Sequence, residues 1–141
     1  MTQADINGVA DLVTELGYPA TAADIARRFT RLDGRDDQAL LVAEDDADVV
    51  GWMQVVAYPY LETDESAEIR GLVIADGHRS RGIGMALISA AEAWAARNGC
   101  QTLRVRSNIT RGRAHAFYER HGFERVKTQH CFQKPIHIRE P

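Results

Sequence analysis

Leu72-Val73-Ile74, Ala75-Asp76-Gly77-His78, Arg79-Ser80-Arg81-Gly82-Ile83-Gly84 and the stripe Leu87, Ile88, Ala91, Trp94, Ala95 are the stretch on which the fold turns. The continuous apolar run reads as the end of a buried strand. After a polar loop, Ile83 and the stripe recur at helical spacing, and Asn98-Gly99 closes the helix. The glycines allow close approach of the backbone to a ligand, and a helix N-terminus presents unpaired N–H groups with partial positive charge. Together these suit a phosphate or pyrophosphate, and Arg79 and Arg81 add two cations. A basic loop with an ordinary glycine turn has the same composition, so the motif needs independent support. A dinucleotide fingerprint would place Gly or Ala where Leu87 stands, and no Gly-Lys-Ser or Gly-Lys-Thr exists for a Walker loop.

Upstream, Ile6, Val9, Leu12, Val13 and Leu16 trace an amphipathic helix stopped by Gly17 and Pro19, and Thr21 is a fitting N-cap for a second helix carrying Ile25, Ala26 and Phe29. Leu40–Ala43 and Val49–Val56 flank the acidic turn Glu44–Asp48 and predict an antiparallel hairpin. Ala67–Ile74 is the third strand. Downstream, Leu103–Arg106 is a strand, a helix carries Ala114, Phe117, Tyr118 and His121 up to Gly122, and a last pair of strands is expected over Phe123–Ile138. The order predicts an α/β (α+β) domain over residues 1–141, with a central mixed sheet and helices on both faces.

The 141 residues, 45% hydrophobic and 26% charged with a net charge of -3, exclude disorder, collagen and a long coiled coil and give no basic bias toward nucleic acid. No apolar run approaches bilayer length and MTQADINGVADL lacks a signal-peptide pattern, so a cytoplasmic protein without a membrane partner is expected. Cys100 and Cys131 form no C-x-x-C pair and the five histidines no compact cluster, so neither a disulfide framework nor a metal site is expected.

Arg79 to Gly84 resembles the signature of the GNAT superfamily of acyl-CoA-dependent N-acyltransferases: Gln or Arg, two residues, Gly, one residue, Gly or Ala. The resemblance continues through Leu72-Val73-Ile74 and, in family order, Ser107-Asn108, Arg111, Ala114-His115, Phe117-Tyr118 and Gly122-Phe123, covering roughly residues 39 to 134. Two departures stand out. Only Met1–Ala4 are available for the family's first strand, and Ala75–His78 lacks the proline common in that loop.

The resemblance implies a splayed pair of parallel strands with acetyl-CoA as cosubstrate and no metal. Arg79, Arg81, Gly82, Ile83, Gly84, Met85 and Ala86 would surround the pyrophosphate, and Leu72, Val73 and Ile74 would pair with the pantetheine arm. The Ile74 N–H would face the thioester carbonyl. Asn108 would bond the same arm, although a turn residue bonded to its own loop fits its position as well. Glu68, eleven residues before Arg79, sits where several family members carry a general base, with Glu62 as second choice. The plain alternative for Glu68 is a solvated strand residue paired with Arg70. Tyr118 holds the family's tyrosine position as proton donor to the CoA thiolate, or else packs on its helix. Cys100 reads as an inert core thiol, and His115 as a surface or packing residue.

The expected reaction is direct acetyl transfer to a primary amine of a small molecule, an aminoglycoside-like compound or a polyamine. A protein N-terminus or lysine, and a noncatalytic acyl-CoA sensor, are the alternatives. A homodimer is expected because a C-terminal strand with Cys131, Phe132 and Lys134 would lie near a sheet edge.

Overall fold

A bulge in the third strand organises the sheet. The computed structural model describes residues 1–108 and 110–139 and shows two compact units, Met1–Arg106 and Ser107–Pro141. The first holds α1 (Ile6–Leu16), α2 (Ala22–Leu32), β1 (Gln38–Asp45), β2 (Asp48–Tyr58), β3 (Ser66–Ile74), α3 (Ile83–Arg97) and β4 (Thr102–Val105). The second holds α4 (Gly112–Arg120). Strand order is β1-β2-β3-β4, antiparallel except for the parallel pair β3–β4, so the mixed α/β reading stands.

Local chemistry sets the boundaries. Gly17 ends α1 at φ +112°, where its N–H and that of Tyr18 reach back to the carbonyls of Thr14 and Val13. Thr21 caps α2 reciprocally: its hydroxyl accepts from Asp24 N at 3.1 Å while Thr21 N donates to Asp24 Oδ2 at 3.0 Å. Hydrogen bonds from the Thr21 backbone N–H, and then its hydroxyl, hold the half-exposed Asp24 carboxyl below its ordinary pKa. The β1–β2 turn places Asp46 and Ala47 at φ +47° and +69°, the left-handed pair a two-residue hairpin requires. Met1–Ala4 add no strand; a 3-10 turn, Gln3–Asp5, precedes α1 instead.

Strand parity assigns the two faces of the sheet. On one, Val9, Ala10 and Val13 of α1 and Ile25 of α2 form a buried cluster against Val42, Val49 and Trp52. On the other, a Cβ built on Gly51 would lie 3.2 Å from Ile74, Ile83 and Leu87, so this glycine lets α3 close on the strands. Met53 and Val55, both fully buried, lie on that α3 face. Each such burial stabilises the fold by about 1.5–3 kcal/mol. Among the described residues no helix is long and apolar enough to cross a membrane.

The strands expected over Phe123–Ile138 do not form: residues 123–139 have no regular secondary structure. Spaced apolar residues make a strand only when a neighbouring ladder takes up their backbone groups. Here Val126, Phe132, Ile136 and Ile138 are exposed instead, and the edge strand expected around Cys131, Phe132 and Lys134 is absent.

Gly71 is a second close approach, since a Cβ there would sit 2.7 Å from Cζ3 of Trp52. Gly71→Ala is expected to lower stability by about 1–3 kcal/mol through overpacking, read as a reduced urea midpoint with unchanged slope. An unchanged midpoint would contradict this packing.

Candidate active site

The β2–β3 register passes from Gln54↔Gly71 to Val55↔Ile69, which leaves Arg70 as the extra residue of a bulge. The β3–β4 ladder stops one residue earlier, at Ile69↔Val105. Among the described residues no strand pairs with Arg70–Ile74 on the β4 side. Backbone polar groups alternate sides along a strand, and Ala75 N donates across to Val50 O at 2.8 Å. Val73 therefore also faces β2, while the N–H groups of Leu72 and Ile74 point to the open edge.

β3 leads into a loop ending at the N-terminus of α3. Gly82, at φ +80°, occupies the N-cap and supplies no side-chain cap. Ala86 N bonds back to Gly82 O at 3.0 Å, so the N–H groups of Ile83, Gly84 and Met85 lie ahead of the first helical hydrogen bond. Gly84 is buried and Met85 exposed. This end of the helix is built to receive an anion.

Both loop arginines have protein partners. Arg79 Nε lies 3.4 Å from Ile74 O and its Nη2 3.5 Å from Glu15 Oε1, the same oxygen that accepts from Asp76 N at 2.9 Å. Arg79 thus ties the loop to the end of β3 and to α1. Arg81 Nη1 lies 3.3 Å from His78 Nδ1 and 3.6 Å from Asp45 Oδ2, beside the β1–β2 turn. Glu15 and Asp45 escaped the sequence reading as partners of this loop because no local pattern joins positions so far apart.

Glu68 is 8% exposed, which excludes a solvated strand residue. The expected pair with Arg70 is present at 3.5 Å, and a second, Arg106 Nε at 3.3 Å, joins it. Both guanidinium groups meet Oε1. Arg106 is legible only afterwards, since strand parity puts it on the face shared by Glu68 and Arg104. Glu62 stays exposed in the β2–β3 loop. Burial, then the charge of Glu65, raises the Cys100 thiol above its ordinary pKa, which keeps it protonated at neutral pH.

In the second unit, Asn108 forms the local turn: Oδ1 accepts from Thr110 N at 3.0 Å and Thr110 Oγ1 at 2.9 Å. His115 Nε2 lies 2.8 Å from the Asn108 carbonyl, which can only accept, so Nε2 carries the proton. Tyr118 packs edge-on against Phe117 and Phe123, with ring centroids 5.4 and 5.6 Å away. Burial raises its phenol pKa, with Arg111 opposing, so the proton is retained across the neutral range.

An open strand edge feeding an uncapped helix N-terminus suits an extended ligand with a phosphate end, and residues 9–123 match the acetyltransferase (GNAT) family. The chain belongs to the GNAT acetyltransferase family. Its relatives include an aminoglycoside N(6')-acetyltransferase type 1 of Klebsiella aerogenes, 26% identical over 117 residues, covering 81% of this chain and 77% of the relative. The same-named protein of Stenotrophomonas maltophilia is 28% identical over 140 residues, covering 96% and 90%. Among solved structures, aminoglycoside N-acetyltransferase AAC(6')-Iy in complex with CoA superposes at TM-score 0.85 with 17% identity, covering 95% of this chain and 91% of that one. As a GNAT acetyltransferase, the chain is an acetyl-CoA-dependent N-acetyltransferase.

Proposed function

We propose that the chain, acting as one domain over residues 1–141, acetylates the primary amine of a small molecule by direct transfer in a ternary complex. The acceptor is an aminoglycoside-like amine or a polyamine. The observation that carries this reading is the early end of the β3–β4 ladder, which frees Leu72 and Ile74 further along the strand that holds the buried carboxylate of Glu68. The names of the two curated relatives support the acceptor class. Acetyl-CoA supplies the activated acyl group.

Leu72 and Ile74 bond the pantetheine arm, Val73 fills the core behind them, and the N–H groups of Ile83, Gly84 and Met85 face the pyrophosphate. Gly82 and Ala86 complete this turn. Arg79 fixes the loop, and Arg81 adds positive charge. The Leu72 N–H, the freed amide nearer Glu68, stabilises the oxyanion that forms as the amine attacks, whereas the Ile74 N–H expected for this from the sequence lies toward the pyrophosphate end of the strand. A primary amine, with a pKa of about 10.4, is held as the ammonium at neutral pH and has no free lone pair. Glu68 takes its proton on Oε2, directly or through a water, because both arginines occupy the side of Oε1. Tyr118, still a neutral phenol, donates to the departing thiolate, and Asn108 offers its amide N–H to the same arm. The setting is the cytoplasm.

Glu68→Gln keeps the shape and removes the base. Its rate is expected to fall about 100-fold or more, most at low pH and least at high pH, where free amine is plentiful. Tyr118→Phe should lower kcat more than it raises the KM for acetyl-CoA. Parental turnover in both variants on an accepted amine, across pH 6 to 9, would refute these roles.

The exposed Val126, Phe132, Ile136 and Ile138 support a homodimer, in which a partner chain covers apolar surface left to solvent in a single chain. Light scattering should then give twice the chain mass. A concentration-independent monomer mass would exclude it.

A further inference from the structure

The parallel register carries a row of charge across the site. Glu68 on β3 pairs with Arg104 on β4, so their side chains leave the same face of the sheet from strands roughly 5 Å apart. Arg106 lies two residues beyond Arg104, and its Nε reaches Glu68 Oε1 at 3.3 Å. Arg70, the bulge residue, reaches the same oxygen with Nη1 at 3.5 Å. The three arginines therefore gather around Glu68 where β3 and β4 part.

Charge is not balanced there. All three arginines are exposed, whereas Glu68 is buried. Among the described residues, Glu68 is the one carboxylate within ion-pair distance of Arg70 and Arg106, and no carboxylate lies within that distance of Arg104. Three guanidinium groups thus face one carboxylate, a surplus of two positive charges. A guanidinium presents several N–H donors in a planar fork, and one shared oxygen takes up few of them. The donors left over match a second carboxylate, whereas a cation brought to the same spot would meet like charge.

We propose that Arg70, Arg104 and Arg106 form an anion subsite beside the base, so that the enzyme accepts amines carrying a carboxylate one or two carbons from the nitrogen. Such a molecule matches the charge pattern end for end. Its nitrogen meets Glu68 Oε2, and its carboxylate meets the guanidinium groups gathered on the Oε1 side. Hydrogen bonds of about 3 Å at each end leave an amine-to-carboxylate span of a few Å, that of an α- or β-amino acid. This acceptor class goes beyond the cationic amines proposed above, and it rests on the same reading of Glu68 as the group that receives the amine. The chemistry is unchanged: a C–N bond to the acetyl group replaces its C–S bond, Glu68 takes the proton that the nitrogen loses, and Tyr118 protonates the departing thiolate.

The test compares CoA release with β-alanine, β-alaninamide and 1,3-diaminopropane, which carry a primary amine on chains of one length ending in an anion, a neutral group and a cation. The wild type should favour β-alanine over its amide in kcat/KM by about 10-fold or more, because the amide forfeits the charge-assisted bonds. The carboxylate also makes its own amine the more basic of the two, so the supply of free amine works against this preference. Arg104→Gln, at an exposed strand position outside the Glu68 ion pairs, should narrow the ratio at least about five-fold, chiefly through the KM for β-alanine. Arg104→Glu should narrow it further and shift selectivity toward the diamine. A wild-type ratio near unity, or a ratio unchanged in both variants with thermal melts showing them folded, would overturn the subsite. Turnover of the diamine without turnover of β-alanine would do the same and leave the proposed reaction standing. If no amine releases CoA although acetyl-CoA binds, the reaction fails with these acceptors, and calorimetric titration of β-alanine into the CoA complex decides the subsite. Binding weakened by Arg104→Gln then supports it, and binding that is equal or absent overturns it.

Discussion

A single extra residue, Arg70, sets the architecture of the site. Its bulge shifts the β2–β3 register where the β3–β4 ladder ends, so β3 runs on for several residues without a neighbour on one side. Unpaired strand edges attract other strands, and proteins generally cover or shorten them. This edge is short, and it leads within ten residues to a helix N-terminus whose cap is a glycine. The backbone thus offers an extended ligand two outward amides, a turn, and a cluster of helix N–H groups, before any side chain is considered. Glu68, two residues ahead of the bulge, is buried on the other side of the same feature.

Much of this was legible in the sequence because the signals are local. The Thr21 cap, the Gly17 stop, the acidic hairpin turn and the stripe from Ile83 to Ala95 each depend on residues within one or two turns of each other. The signature from Arg79 to Gly84 is equally compact, which is why it stood out without structural information. The bulge was not legible. It depends on how two strands align across a loop, and neither strand's own alternation reveals which residue will be extra.

The misplaced strands after Phe123 have the opposite cause. Apolar spacing there satisfies the local pattern, but a strand is a relation between two backbones, and no ladder takes this segment up. The electrostatics of the site were hidden for a related reason. Arg106 reaches Glu68 only through the parallel register, and Glu15 and Asp45 reach Arg79 and Arg81 only because α1 and the hairpin turn flank the loop. The arginines that look from sequence like free phosphate ligands are also parts of the scaffold that holds the loop.

Amide hydrogen exchange resolved by residue, with and without saturating CoA, tests the open edge most directly. The Val73 amide, committed to β2, should be protected in both states, whereas those of Leu72 and Ile74 should exchange fast alone and slow markedly when CoA binds, together with Ile83, Gly84 and Met85. Unchanged exchange at Leu72 and Ile74 in the CoA-bound protein would contradict the account.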